Sequence, residues 1–136
     1  MKFVDRYPIV VTPRKDECRD FWARHLGLSV LFDSTWFCLL GHPEGTLSIA
    51  FMTPDHPSSP PGPEVFDGQG LCFDIQVEDA SAAWEEVRRT GLEPSLPLQR
   101  EPWGQLRFGF TDPSGLFVDV VEQIEPAPGF WDADRR

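Results

Sequence analysis

The sequence has no long apolar run and comparatively little positive charge. Among its 136 residues, no apolar stretch approaches the ~20 residues that span a bilayer. The first eight residues lack the apolar core of a secretion signal. Lysine and arginine number 12 against 22 aspartates and glutamates, a formal net charge of −10 that repels nucleic-acid phosphates and anionic lipid. We therefore expect a cytoplasmic protein that binds neither nucleic acid nor membranes.

Cysteine is scarce, and several catalytic motifs are missing. Cys18, Cys38 and Cys72 lie far apart and form neither a Cys-x-x-Cys pair nor a zinc-ligand spacing, so we expect reduced thiols. No glycine-rich phosphate loop, Gly-x-Ser-x-Gly elbow or catalytic carboxylate pair is found. The sequence therefore offers no residue set that we assign to catalysis.

Two stretches have the periodicity of amphipathic helices. The first is predicted to begin with Thr12 as N-cap and Pro13 at the first helical position, and to end at Gly27. The second is predicted to begin at Asp79 and to end at Gly91. Their apolar stripes have helical spacing: Cys18, Phe21, Trp22, His25 and Leu26 in the first, and Ala80, Ala83, Trp84 and Val87 in the second.

Strand-like segments surround both helices in the same order, which predicts an internal βαβββ repeat. We expect one domain over residues 1–136, with module one at about 5–53, a proline-rich linker at 54–69, module two at about 70–122 and a tail at 123–136. The predicted strands are 7–12, 28–32, 36–40, 47–52, 71–77, 93–98, 105–111 and 116–121. The turn Asp112-Pro113-Ser114-Gly115 separates the last two.

Three sequence motifs in this order resemble the vicinal oxygen chelate superfamily, which includes glyoxalases, bleomycin-resistance proteins and dioxygenases. They are Phe21-Trp22-Ala23-Arg24-His25-Leu26-Gly27-Leu28, Val77-Glu78-Asp79, and Phe110-Thr111-Asp112-Pro113-Ser114-Gly115 leading to Asp119. The resemblance covers about residues 5–122. It implies an α+β fold, in which two tandem βαβββ modules with curved mixed sheets surround a shared cleft, and it implies a homodimer.

The resemblance also implies a divalent metal held by His or Gln on the first strand of each module and Glu on the last. Tyr7, Cys72 and Asp119 occupy three of those places, and the fourth falls near Ser48 or Ala50. Phenol, thiol and hydroxyl groups do not make the imidazole and carboxylate set that such metals prefer. We therefore expect no metal and no other cofactor.

Candidate ligand-binding residues combine flat rings with a few polar groups. The sequence has 11 Phe, five Trp and one Tyr, and strand alternation turns some of these rings towards the expected cleft. Asp119 interrupts an apolar strand, and Arg107 does so on the neighbouring one. The hairpin register leaves open whether these two share a face. The candidates are Tyr7, Trp36, Phe51, Cys72, Trp103, Arg107 and Asp119.

These observations favour metal-independent binding and sequestration of a small apolar or aromatic molecule, as in bleomycin resistance. One alternative is a glyoxalase-type lyase, isomerase or dioxygenase with an atypical metal site, or with Tyr7, Asp119 or Cys72 in acid–base work. Another is an interaction module with a vestigial cleft. The ligand, and whether any reaction is catalysed, stay open at this point.

Overall fold

In the part of the chain that the structure describes, ten regular elements form two units that share one topology. The computed structural model describes residues 1–55 and 64–136. Residues 56–63 of the predicted linker, His56 among them, lie outside the described residues. The first unit comprises Met1–Gln69 with Asp112–Gly115, and the second comprises Gly70–Thr111 with Leu116–Arg136. Each has a four-stranded mixed sheet and one α-helix, so the predicted α+β fold with two βαβββ modules is confirmed.

The first unit has the sheet order β1-β4-β3-β2. β1 pairs with β4 in parallel, and the other neighbours are antiparallel. Its elements are β1 (Ile9–Val11), α1 (Lys15–Leu26), β2 (Ser29–Asp33), β3 (Phe37–Gly41) and β4 (Ser48–Met52).

The core of the first unit lies between its sheet and α1. The indole of Trp22 is fully buried and contacts the ring of Phe51, with the ring centroids 6.2 Å apart. Trp22 Nε1 donates a 2.8 Å hydrogen bond to Asp112 Oδ2, and Asp112 Oδ1 accepts hydrogen bonds from both the amide and the hydroxyl of Ser114. The buried Asp112 carboxylate therefore has hydrogen-bond partners on both oxygens, and its bond to Trp22 holds the Asp112–Gly115 turn against this unit.

α1 ends as the sequence predicts but begins later. Gly27 takes the left-handed conformation at φ 68° that closes a helix without steric cost. The predicted N-cap at Thr12 is wrong, because the helix begins at Lys15 after Arg14. Thr12 Oγ1 instead accepts a hydrogen bond from the Arg14 amide, forming a turn that precedes the helix.

The second unit repeats the arrangement with the order β5-β8-β7-β6. β5 is parallel to β8, and the other neighbours are antiparallel. Its elements are β5 (Cys72–Gln76), α2 (Ala80–Arg89), β6 (Leu96–Glu101), β7 (Gln105–Thr111) and β8 (Phe117–Gln123). The strand predicted at 93–98 is shifted, because β6 extends to Glu101 with an irregular register between Leu96 and Gln99.

α2 covers one face of the second sheet. Asp79 caps it as predicted, since its carboxylate accepts a hydrogen bond from the Ala82 amide. Trp84 packs edge-on against Phe108 of β7 at 5.4 Å. Alternation therefore turns Arg107 and Gly109 to the opposite face, which α2 leaves open. Within the described residues, neither helix is long and apolar enough to cross a membrane.

Candidate functional site

The candidate site is the face of the second sheet that points away from α2. Strands β5 and β8 read Cys-Phe-Asp-Ile-Gln and Phe-Val-Asp-Val-Val, so each places an aspartate between two apolar residues. Phe73, Ile75, Val118 and Val120 alternate with these polar positions. The aspartates therefore lie on the face opposite the apolar side chains.

Asp74 and Asp119 lie side by side on this face. The parallel register of β5 and β8 makes them direct partners. Cys72 lies two residues before Asp74, and its Sγ donates to Asp74 Oδ1 at 3.0 Å. One ligand atom from each of the three residues lies within 4.8 Å of the others. The three side chains form a small cluster of two carboxylates and a thiol.

Arg107 supplies the positive charge at this cluster. Its Nη1 lies 3.3 Å from Asp119 Oδ2, and its Nε lies 3.5 Å from Glu101 Oε1. β7 and β8 pair in regular register from Gln105↔Gln123 to Thr111↔Phe117. This register places Arg107 and Asp119 on one face, which answers the question that the sequence leaves open.

Burial and mutual repulsion make the ionised state of this cluster costly. Burial raises the pKa of Asp119, and the charge of Asp74 raises it further, while Arg107 opposes both effects. Burial and the hydrogen bond to Asp74 raise the pKa of the Cys72 thiol to about 12. Cys72 is therefore protonated at neutral pH and is a poor nucleophile, since the thiolate is the reactive form.

A flat ring borders the cluster on the side of Arg107. The guanidinium carbon of Arg107 lies 5.1 Å from the ring centroid of Trp103, within the range of a cation–π contact. Trp103 lies in the turn between β6 and β7, and its indole N–H donates to Gln105 Oε1 at 2.8 Å. The turn thus holds an aromatic surface beside the charged group.

The tail packs on this same turn. Ile124 and Ala127 donate backbone hydrogen bonds to the carbonyls of Gly104 and Pro102. Trp131 Nε1 donates to the Trp103 carbonyl at 2.9 Å, and the Phe130 ring lies 6.5 Å from that of Trp103. Phe130 and Trp131 of the tail therefore dock on their own unit.

The three candidates in the first unit lie in different environments. Tyr7 precedes β1 and is 40% exposed, and half-buried Trp36 immediately precedes β3. Phe51 is fully buried against Trp22, so the expectation that it faces a ligand is corrected: β4 turns it towards α1. Residues 49–52 of β4 are all apolar, so the sequence does not show which of them face α1.

Sequence reasoning missed Asp74 and Glu101. Asp74 interrupts an apolar strand just as Asp119 does, so the same alternation could have singled it out. Glu101 required knowledge of the β6–β7 pairing, which sets it beside Gln105 and within reach of Arg107.

The cluster does not suit the divalent metal that the resemblance implies. A metal bound through Cys72 would have to displace the thiol proton, and the raised pKa of Cys72 makes that displacement more costly. Arg107 places a fixed positive charge against Asp119, where a metal ion would be repelled. Ser48 is half-buried on β4, and Ala50 carries no donor.

One protein-family model matches most of this chain. The family model for the Glyoxalase/Bleomycin resistance protein/Dioxygenase superfamily matches residues 7–120. Among curated proteins, none matches this sequence.

Solved structures similar to this chain share its fold at low identity. A glyoxalase/bleomycin resistance protein/dioxygenase from Nocardioides is 20% identical with a TM-score of 0.73, covering 93% of this chain and 91% of its own. A lactoylglutathione lyase from Agrobacterium tumefaciens is 16% identical with a TM-score of 0.70, covering 90% and 95%. An antibiotic binding protein from Streptomyces sp. CB03234 is 17% identical with a TM-score of 0.66, covering 90% and 97%.

The family model spans most of the chain, and the two βαβββ units agree with it. The chain belongs to the glyoxalase/bleomycin resistance protein/dioxygenase superfamily.

Proposed function

We propose that this protein binds and sequesters a small, largely apolar or aromatic molecule without a metal and without breaking a bond. The observation that carries the proposal is the Arg107 guanidinium, which is held between Asp119 and the ring of Trp103. This arrangement combines fixed polar groups with a flat ring, as small-molecule sites commonly do. Tyr7 and Trp36 of the first unit are proposed as further ligand contacts, with Cys72 at the edge of the charged cluster.

The state of Cys72 favours binding over covalent chemistry. A thiol with a pKa of about 12 carries almost no thiolate at neutral pH, so nucleophilic attack is slow. Its hydrogen-bond partner is Asp74, an acceptor that holds the proton on sulfur. An antibiotic binding protein with the same fold supports sequestration as a function that this architecture permits.

An acid–base enzyme is the second candidate function, and one observation favours it. Burial raises the pKa of Asp119, and a carboxylic acid with a raised pKa can exchange a proton during catalysis. A lactoylglutathione lyase also shares the fold. In that case Asp119 would be the proton-transferring group, and the bound molecule would be recovered chemically altered.

The proposal includes a homodimer in the cytoplasm. The dimer is what the resemblance to the superfamily implies. Cys18, Cys38 and Cys72 are free, which supports a compartment where thiols stay reduced. Sedimentation equilibrium at micromolar concentration tests the dimer, and a monomer there contradicts it.

The test is a binding screen followed by recovery of the ligand. Chelator-treated protein is titrated with aromatic antibiotics, bleomycin among them, and tryptophan fluorescence is followed while chelator is present. We expect saturable quenching by at least one compound, which mass spectrometry then recovers unchanged. A compound recovered as a new product supports the enzyme instead, and quenching by none contradicts both functions.

A matched pair of variants locates the binding. Arg107→Gln removes the guanidinium over Trp103, and we expect affinity to fall by roughly tenfold. Arg100→Gln makes the same chemical change one strand away. Arg100 pairs with Leu106, so it lies on the other face and is exposed, and we expect affinity to stay unchanged. Equal effects of the two substitutions would place the ligand elsewhere.

A further inference from the structure

We propose that Asp74 and Asp119, with Cys72 beside them, form a subsite for the ammonium group of a ligand. The inference rests on the proposed function and narrows it: the sequestered molecule carries an aliphatic amine on its apolar or aromatic body. This subsite lies where the family would place a metal, and it replaces the metal with a cationic group of the ligand.

The first support is an unpartnered oxygen. Asp119 is 4% exposed, and its Oδ2 is the atom that Arg107 approaches. Its other oxygen, Oδ1, is buried and has no hydrogen-bond partner. An unsatisfied buried acceptor is costly, and an N–H donor from a ligand would remove that cost.

The second support is the spacing of the acceptors. One ligand atom each from Cys72, Asp74 and Asp119 lies within 4.8 Å of the others. The oxygens of Asp74 and Asp119 in this set are close enough for one centre to lie at about 2.8 Å from both, which is the length of an N–H···O hydrogen bond. A primary ammonium offers three N–H donors around a compact charge, so it can donate to both carboxylates and contact the Cys72 sulfur.

The third support is the charge balance on this face. Asp74, Asp119 and Glu101 are three carboxylates, and Arg107 is the one cation that contacts them among the described residues. Two negative charges are therefore in excess when all are ionised. A monovalent cation reduces that excess, whereas an anion increases it and a neutral group leaves it unchanged.

Arg107 does not fill the subsite, because other contacts hold it. Its Nε lies 3.5 Å from Glu101 Oε1 without a hydrogen bond, and its guanidinium carbon lies over the Trp103 ring. Arg107 approaches Asp119 through Nη1 alone, leaving Oδ1 free for a second donor. A ligand whose amine enters here can extend its ring towards the aromatic side of Trp103.

The test compares three probes of similar shape and different charge: 2-phenylethylamine, 2-phenylethanol and 3-phenylpropionate. Amide shifts of residues 72–76 and 117–123 are followed by NMR at neutral pH, up to about 20 mM of each probe. We expect the amine to bind roughly tenfold more tightly than the alcohol and the carboxylate to bind most weakly. Equal affinity for amine and alcohol overturns the subsite, and so does the absence of amine-induced shifts.

Variants assign the effect to the carboxylates. Asp119→Asn should remove the preference for amine over alcohol, and Asp74→Asn should reduce it by severalfold. Glu85→Gln changes the same charge on the exposed surface of α2 and should leave the preference intact. If Asp119→Asn does not fold, the Asp74→Asn variant tests the proposal, since Asp74 is exposed. A preference that survives both aspartate substitutions overturns the proposal.

The outcomes separate this inference from the proposed function. If the NMR titrations show no preference for the amine but the antibiotic screen shows saturable binding, the ammonium subsite is wrong and sequestration stands. Amine preference alongside ligand turnover in that screen means that the subsite is right and sequestration is wrong.

Discussion

Asp119 receives Arg107 at 3.3 Å on one carboxylate oxygen and keeps the other oxygen buried without a partner. The register of β7 and β8 sets this arrangement, since it places Arg107 and Asp119 on the same face of the sheet. Asp74 adds a second carboxylate from the parallel strand β5. The site thus holds two carboxylates beside one guanidinium, and burial makes the ionised state of Asp119 costly.

The first prediction concerns the stability cost of that charge. The pKa of Asp119 is raised in the native state, so the native protein binds a proton more readily than the unfolded chain. The cost is absent below the unfolded pKa of about 3.9 and develops as the pH rises through the native value. Asp119→Asn should therefore be more stable than the parent at neutral pH by about 1 kcal/mol.

Urea unfolding at several pH values tests this prediction. The advantage of Asp119→Asn should shrink as the pH falls and approach zero well below about 3.9, where the parent carboxyl is protonated in both states. Glu85→Gln, an exposed change on α2, should show no such trend. A large loss of stability in Asp119→Asn at neutral pH would make Asp119 a structural residue.

The second prediction concerns the reactivity of Cys72. This thiol is exposed, but its pKa of about 12 leaves little thiolate near neutral pH. Iodoacetamide should alkylate it at pH 8 roughly 100-fold or more slowly than a cysteine peptide of pKa about 8.5. Asp74→Asn removes both the hydrogen-bond acceptor and the nearby charge, so it should accelerate alkylation by about tenfold or more.

Peptide mass spectrometry identifies which thiol has reacted. Cys18 and Cys38 are buried, and Cys72→Ser gives their background rate. Alkylation of Cys72 at the rate of a free cysteine would show that Asp74 does not hold its proton.

The third prediction concerns the buried link between Trp22 and Asp112. Trp22→Phe removes the indole donor and leaves Asp112 Oδ2 short of this partner in the core. We expect a loss of about 2–3 kcal/mol in the free energy of unfolding, because a missing hydrogen bond and lost packing act together. Chemical unfolding followed by circular dichroism gives the value.

Trp84→Phe is the matched control for that change. Trp84 is half-buried on α2 and packs edge-on against Phe108. Its replacement keeps a ring in place and should cost clearly less than the change at Trp22. Equal losses at the two tryptophans would mean that the Asp112 hydrogen bond adds nothing.

The fourth prediction concerns the tail. Trp131→Phe keeps a ring but removes the donor to the Trp103 carbonyl. Because Trp131 is 40% exposed, we expect global stability to change by less than about 1 kcal/mol. The tail should open more often, so exchange of the Ala127 amide, which donates to the Pro102 carbonyl, should accelerate by severalfold.

Hydrogen exchange measured by NMR checks the tail, with the Ala83 amide in α2 as an internal reference. Asp134→Asn is an exposed substitution in the same segment and should leave Ala127 protection unchanged. Unchanged protection in Trp131→Phe would contradict a role for this hydrogen bond in holding the tail.

The fold was predictable where local signals are strong. Gly27 and Asp79 mark helix ends through their own conformational and hydrogen-bonding preferences, and the structure confirms both. The repeated order of elements predicted two βαβββ units, and these are observed. The N-cap prediction at Thr12 was wrong because the Thr12 side chain forms a turn before α1. A threonine at this position is equally compatible with such a turn and with an N-cap.

The site was only partly predictable because its geometry depends on distant pairings. Asp119 and Arg107 were singled out from alternation, but only the observed β7–β8 register shows that they share a face. Asp74 reaches Asp119 through parallel pairing across more than 40 residues of chain. Phe51 was misplaced because residues 49–52 of β4 are all apolar, so alternation of polar and apolar residues does not mark the face that α1 covers.

The central claim is that this site binds its small-molecule ligand without a divalent metal. Calorimetric titration with metal ions tests this claim most directly. Chelator-treated protein is titrated with Ni²⁺, Zn²⁺ and Mn²⁺, and with Fe²⁺ under anaerobic conditions. With Arg107 against Asp119 and a protonated Cys72, we predict no stoichiometric submicromolar binding. Stoichiometric submicromolar binding that disappears in Asp119→Ala would contradict the account and identify a metal centre.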